Sequence, residues 1–144
     1  MKQSPDSELK LANQLCFALY CASRKVVQSY QPHLQKMGIT YPQYLALLAL
    51  WEDDNLTVKA LGERLLLDSG TLTPLLKRLA SAGLVSREHD EHDERQRRIR
   101  LTAAGKALKR EALDMREELK CRYGAQFAEA GELRRTLQTL IEML

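Results

Sequence analysis

The chain has 144 residues, 44% hydrophobic and 28% charged, with a formal charge of +3, values of an ordinary folded domain rather than a disordered or fibrous chain. Its longest apolar run, YLALLALW at 44–51, falls far short of the roughly 20 residues that span a membrane. The start MKQSPDSELK lacks the apolar core of a secretory leader, so a single cytoplasmic domain over 1–144 with no membrane partner is expected.

The first helix is predicted from a cap at Asp6 or Ser7 to about Tyr30, with Leu9, Ala12, Cys16, Leu19, Val26 and Tyr30 on one face. Pro32 and Gly38 bound a short second piece, HLQKM. A third helix starts near Tyr41–Pro42, includes Leu45, Leu48 and Trp51, and stops at Asp53–Asp54–Asn55. TVKALGERLLLD follows, with Val58, Leu61 and Leu65 at helical spacing, and Asp68, Ser69 and Gly70 then supply turn and capping chemistry. The next helix puts Leu72, Leu75, Leu76 and Leu79 on one face and Ser69, Thr71, Thr73, Pro74, Lys77 and Arg78 on the other. Thr71 is expected as its cap, which places Pro74 in the first turn, and Gly83 ends it. A hairpin of Leu84–Arg87 and Arg98–Leu101 encloses the charged loop EHDEHDER. Thr102 caps a long helix carrying Ala104, Leu108, Ala112, Met115 and Leu119; Gly124 and Gly131 punctuate the tail, and a last helix presents Leu133, Leu137, Leu140 and Leu144.

Two helices, a sharp turn and a basic hairpin, in that order over 57–101, make a winged helix-turn-helix, a module that sets one helix in the major groove of DNA. The fold class is thus mainly α with a small β-hairpin wing. Seven cations and no acid occur from 95 to 110, an electrostatic footprint for phosphate. The flanking helices, 1–56 and 102–144, carry more apolar surface than that module can cover. A homodimer built from them matches the two-fold symmetry of double-stranded operator DNA. The three cysteines lack zinc-ligand spacing, and His89 and His92 lie on a loop without a third ligand, so neither a metal nor a cofactor is expected.

With DSGTLTPLLKRL and the Asp93–Glu94–Arg95 triplet before RIRLT in view, the chain resembles the MarR family of bacterial repressors over essentially its whole length. The resemblance implies that Asp93 orients Arg95 and that the Arg95 guanidinium enters the minor groove, where a narrow A·T-rich stretch attracts it. LANQLCFALYCASRKVVQSY and GITYPQYLALLAL are similar, more narrowly, to the organic-hydroperoxide sensors of that family, the OhrR type. That likeness makes Cys16 the peroxide-reactive cysteine, Tyr30 and Tyr41 the phenols that hydrogen-bond to it, and Cys121 the resolving cysteine of two-cysteine members. Organic hydroperoxides are then the inducing oxidant.

A thiolate is the form that attacks a peroxide. With a helix starting near Asp6, Cys16 lies about ten residues in, beyond the reach of the helix dipole; something else must hold the anion, and the two phenolic donors that the resemblance implies would do so. Tyr30 lies some 21 Å along the same straight helix; the tyrosines must arrive by folding back or from a second subunit, and the resemblance implies the second subunit. Phe17, Leu19, Tyr20 and Trp51 fit either a pocket for the organic tail of the peroxide or ordinary core. Two other readings stand beside this one. The first is a MarR-type repressor released by a reversible phenolic or drug-like ligand, against which a resolving thiol at Cys121 argues. The second is a thiol peroxidase, which leaves a basic winged module without a use.

Overall fold

The computed structural model describes residues 5–124 and 126–144. The chain forms two compact units, 1–105 and 106–144. The first unit opens with a short helix α1 (Pro5–Glu8) and a 3-10 turn (Leu11–Asn13). The side chain of Asn13 donates to the Ser7 carbonyl (2.6 Å), and that of Gln14 donates to Glu8 (2.5 Å) and Lys10 (3.1 Å). These bonds close the segment on itself, and Gln14 is extended (φ −88°, ψ 115°), so the long helix α2 begins only at Leu15. Leu9 and Ala12 therefore do not share a helix face with Cys16, contrary to the sequence expectation.

Helix α2 (Leu15–Met37) also runs past Tyr30 and through Pro32 to Gly38 (φ 71°) instead of breaking in two. Pro32 faces solvent, while Tyr30 and Leu34 on either side of it are buried. Their packing outweighs the one intrahelical bond that proline forfeits. Helix α3 (Tyr41–Glu52) starts in a reciprocal capping box between Thr40 and Gln43, with Pro42 in its first turn. It is apolar all round, and it buries Tyr44, Ala46, Leu47 and Leu50 while Leu48 faces out.

Strand β1 (Leu56–Thr57) leads into α4 (Val58–Leu65), capped by the Thr57 hydroxyl. The turn after α4 folds over Gly62, whose carbonyl accepts from Leu67 (3.0 Å), and the left-handed position falls on Leu66 (φ 54°). A Cβ at Gly62 would lie 2.7 Å from the Leu67 carbonyl oxygen, which explains the glycine.

Helix α5 (Ser69–Ser81) is capped by Asp68, whose carboxylate accepts from the Thr71 amide at 2.7 Å. The expected Thr71 cap is thus one turn too late, and Pro74 sits at the sixth helical position, an interior one. The helix ends with Gly83 (φ 76°) and paired bonds from Gly83 to Ala80 and from Leu84 to Leu79, a Schellman closure. Strands β2 (Val85–His89) and β3 (Arg97–Leu101) form the wing. β1 joins them in the order β1-β3-β2, all antiparallel, with Leu56 opposite Ile99 and Arg87 opposite Ile99 on the other side. Ile99, fully buried, anchors the sheet to the core of Leu47, Leu61, Leu72, Leu76 and Leu79.

Helix α6 (Ala103–Tyr123) is capped by the Thr102 hydroxyl, which accepts from Gly105 and donates to the Gly83 carbonyl. Leu108, Ala112, Met115 and Leu119 form its buried stripe. Helix α7 (Gln126–Met143) follows a turn at Gly124 (φ 47°). Gly131 lies inside α7 rather than punctuating the tail, and Leu144 lies beyond its end. Among the described residues no helix is long and apolar enough to cross a membrane.

Candidate nucleic-acid interface and thiol site

The exposed side of α5 follows from its amphipathic spacing. Leu72, Leu75, Leu76 and Leu79 point into the core, which leaves Ser69, Thr71, Pro74, Lys77 and Arg78 exposed and Thr73 half-exposed. Beside them, an open cleft of about 830 Å³ runs between α4, α5 and the wing. Lys59, Ser69, Thr73, Arg87, Arg95 and Arg97 are among its lining. Arg87, which the sequence did not single out, adds a further cation to this lining, with its Nε buried and without a hydrogen-bond partner. Asp68 at the helix cap is held below the usual carboxylate range, chiefly by the Thr71 amide and then by the Thr71 hydroxyl.

At the wing tip the chain turns on two carboxylates. Asp90 accepts from the amides of His92 (2.7 Å) and Asp93 (3.3 Å), and Asp93 accepts from the amide of Arg95 (3.0 Å). Asp93 is thus joined to the backbone of Arg95, whose side chain is exposed. Arg98, counted in the sequence among the stripe of cations, is half-buried and ion-paired to Asp90 at 2.7 Å. Arg100 donates to Asn55 at 3.1 Å. The surface positive charge of the wing is smaller than the sequence count suggests. Among the described residues no group of three or more metal-ligating side chains comes together.

All three cysteines are free thiols, with Cys16 and Cys121 exposed and Cys21 half-exposed. Because α2 starts at Leu15, Cys16 is its second residue, inside the first turn where amide N–H groups and the positive dipole end are found. The sequence had placed it mid-helix. Cys16 and Tyr30 lie on one unbroken helix, about 21 Å apart at 1.5 Å per residue, so they do not meet within one chain. Tyr30 and Tyr41 do come together, with ring centroids 5.4 Å apart at 71°. Tyr44, which the sequence reading passed over, packs against both at 6.0 and 6.1 Å. Its spacing of three from Tyr41 was the available signal.

Trp51 extends this aromatic row, 6.3 Å from Tyr44, with its indole N–H donating to the Gly105 carbonyl (2.9 Å). Phe17 and Tyr20 lie exposed on the first turns of α2, Tyr20 beneath the Arg24 guanidinium at 5.3 Å, and Leu19 is half-exposed. The ring contacts of Trp51 therefore join it to the tyrosines rather than to Phe17 and Tyr20.

A three-stranded wing packed beside a helix-turn-helix, with the outer face of the second helix polar and cationic, defines a winged helix DNA-binding protein. The model of the MarR family matches residues 39–96. The organic hydroperoxide resistance transcriptional regulator of Bacillus subtilis (strain 168) is 49% identical over 136 residues, which cover 94% of this chain and 92% of that protein. The chain therefore belongs to the MarR family of transcriptional regulators. AbfR of Staphylococcus epidermidis is similar in structure in three chemical states. Reduced and bound to DNA, it gives a TM-score of 0.77 at 41% identity, over 98% of this chain and 99% of that one. Overoxidized and bound to DNA, it gives 0.78 at 40%, over 95% and 99%. Its disulfide form gives 0.69 at 41%, over 95% and 96%.

Proposed function

We propose that this regulator is a homodimeric repressor that binds operator DNA while reduced and lets go when an organic hydroperoxide oxidises Cys16. The observation that carries the reading is the free, exposed thiol of Cys16 in the first turn of α2. The name of the Bacillus relative and the redox states in which AbfR was solved support the same chemistry. α5 enters the major groove through Ser69, Thr71, Thr73, Pro74, Lys77 and Arg78. Arg95, set by Asp93, enters the minor groove, and Arg87 takes a backbone phosphate in the cleft.

The chemistry runs in two steps. The Cys16 thiolate attacks the terminal peroxide oxygen; the O–O bond breaks, sulfur gains OH, and the alkoxide leaves with a proton as alcohol. The Cys121 thiol then displaces water from the sulfenic acid and forms an S–S bond, between subunits in this reading. Tyr30 and Tyr41 of the partner subunit hydrogen-bond to the Cys16 sulfur, since those of the same chain are out of reach. Phe17, Leu19 and Tyr20 border the thiol and admit the organic tail of the peroxide. A disulfide requires Cα atoms within roughly 4.4–6.8 Å, so the bond draws the dimerisation helices together and shifts the paired α5 helices off their half-sites. AbfR has been solved on DNA in an overoxidized state, which fits a mechanism where the bridge, rather than the added oxygen, drives release.

A gel shift on the upstream DNA with and without cumene hydroperoxide, followed by non-reducing electrophoresis, tests this. The reduced protein shifts the DNA, and the oxidised protein releases it as a disulfide-linked dimer. Cys16→Ser keeps the complex under peroxide, and Cys121→Ser forms sulfenic acid without locked release. Peroxide-driven release from Cys16→Ser would refute the scheme.

A further inference from the structure

The loop that carries Arg95 has no apolar anchor: residues 91–95 are all exposed. Its backbone closes on itself by the bonds Asp90 N–H to Gln96 (2.9 Å) and Gln96 N–H to Asp93 (2.9 Å), and His89 Nδ1 on β2 meets the Glu94 carbonyl at 3.1 Å. What ties it to the rest of the unit is polar. Arg98 lies on the central strand β3, opposite Glu88 on one side and Thr57 on the other. Three of its nitrogens are committed: Nη1 donates to Asp90 Oδ2 (2.7 Å), Nε to Asn55 Oδ1 (2.9 Å) and Nη2 to the Asn55 carbonyl (2.9 Å). Asn55, in the turn after α3, holds a left-handed backbone (φ 65°), a conformation asparagine tolerates better than most residues. Beyond Arg98 the bonds continue from Asp90 to the amides of His92 and Asp93, and from Asp93 to the amide of Arg95. One connected chain of hydrogen bonds thus runs from the turn after α3 to the tip of the wing.

We infer that Asn55, Arg98 and Asp90 form a clamp that fixes the wing tip before DNA arrives, which makes Arg98 a positioning residue for Arg95 rather than a phosphate contact. The inference rests on the reading that Arg95 enters the minor groove. A loop ordered only upon binding would spend part of its contact energy on lost conformational freedom; the clamp removes that loss in advance. The planar guanidinium is required because only a rigid fork reaches a carboxylate, an amide oxygen and a carbonyl together, whereas an ammonium is a point charge. The clamp also joins the α3–β1 turn to the wing, so a displacement of α3 reaches Arg95 without passing through α5.

The test measures operator affinity of the full-length reduced protein by fluorescence anisotropy, for Arg95→Ala, Arg98→Met and the double variant. Each is compared on the operator and on a copy with G·C pairs under the wing, across a salt series. Arg95→Ala is expected to lose roughly tenfold or more in affinity and its A·T preference. Arg98→Met is expected to lose roughly three- to tenfold and part of that preference, with an unchanged salt slope. Added to Arg95→Ala, it should cost nothing further, because it acts through Arg95. An equal loss in both backgrounds, or a salt slope lower by about one, makes Arg98 a phosphate contact and overturns the clamp. Full affinity in Arg98→Met beside an impaired Arg95→Ala overturns the clamp alone; a neutral Arg95→Ala overturns the wing reading and the clamp with it. Asn55→Gly, compatible with the left-handed backbone, removes the Oδ1 acceptor without touching a charge. It must weaken binding in the same direction even where Arg98→Met folds poorly.

Discussion

Gly105 has no room for a side chain: a Cβ there would run into the carbonyl oxygen of Leu84, with the Leu101 side chain 3.2 Å away. The position joins three pieces of structure, since its amide bonds to Thr102 and its carbonyl accepts from Trp51. Gly105→Ala is therefore expected to lower unfolding stability by about 1–3 kcal/mol, measured by urea denaturation; an unchanged midpoint would mean the helix start can shift at no cost. Asp90 is a different kind of constraint. Its carboxyl is held below the usual carboxylate range, first by the Arg98 guanidinium and then by the His92 amide. Glu88, His89, His92 and Arg100 border the same hollow. A depressed folded-state value means the stabilisation is complete above the ordinary carboxylate range and disappears as pH falls through the lower, folded value. Asp90→Asn should thus be less stable than the parent at neutral pH, and the gap should shrink in acid. A gap constant from neutral to acid pH would show that the ion pair contributes nothing.

Local chemistry made some segments readable and hid others. The amphipathic period of α5, the Gly83 closure and the Thr102 cap all act within one or two turns, and each was legible from sequence alone. Strand β1 was not, because two residues carry no period and owe their conformation to pairing with β3. Ser69 and Gly70 look like turn residues, yet they lie in the first turn of α5, since the Asp68 carboxylate takes the cap and the turn falls on Leu66 instead. Of the thiol site, the residue types were visible, but the position of Cys16 at the head of α2 depends on side-chain bonds from Asn13 and Gln14 to the preceding turn. Pro32 misled in the opposite direction: a helix breaker by rule, it is overridden by the buried Tyr30 and Leu34. That tolerance has a cost that can be measured. Proline in a helix interior is roughly 3 kcal/mol worse than alanine, offset by roughly 0.4–1 kcal/mol from its stiffer unfolded chain. Pro32→Ala should therefore stabilise the protein by about 2–2.6 kcal/mol, seen as a higher melting midpoint with operator affinity unchanged. A lower midpoint would show that α2 needs the proline.

The N-terminal helices leave much of their apolar surface uncovered. Leu11, Leu15, Tyr20 and Val26 are each more than half exposed, at 61, 62, 60 and 53%, and they lie within sixteen residues of chain. Concentrated apolar exposure of this kind marks an interaction surface. In the function proposed above, a second copy is the occupant, since it would also bring Tyr30 and Tyr41 within reach of Cys16 and supply two α5 helices for a two-fold operator. Operator binding then depends on linkage: two modules held together gain about 10²–10⁴ over one alone. Val26→Glu puts a charge into that surface, far from α5 and the wing in sequence, and should sediment as a monomer at micromolar concentration while the parent sediments as a dimer. Its operator affinity should fall by about a hundredfold or more. Its helical circular dichroism should survive, because Val26 is exposed within one chain and leaves no cavity when replaced. A parent protein that sediments as a monomer, or a Val26→Glu monomer that binds the full operator as tightly as the parent, would remove the dimer from the account and with it the route by which oxidation at Cys16 reaches the DNA.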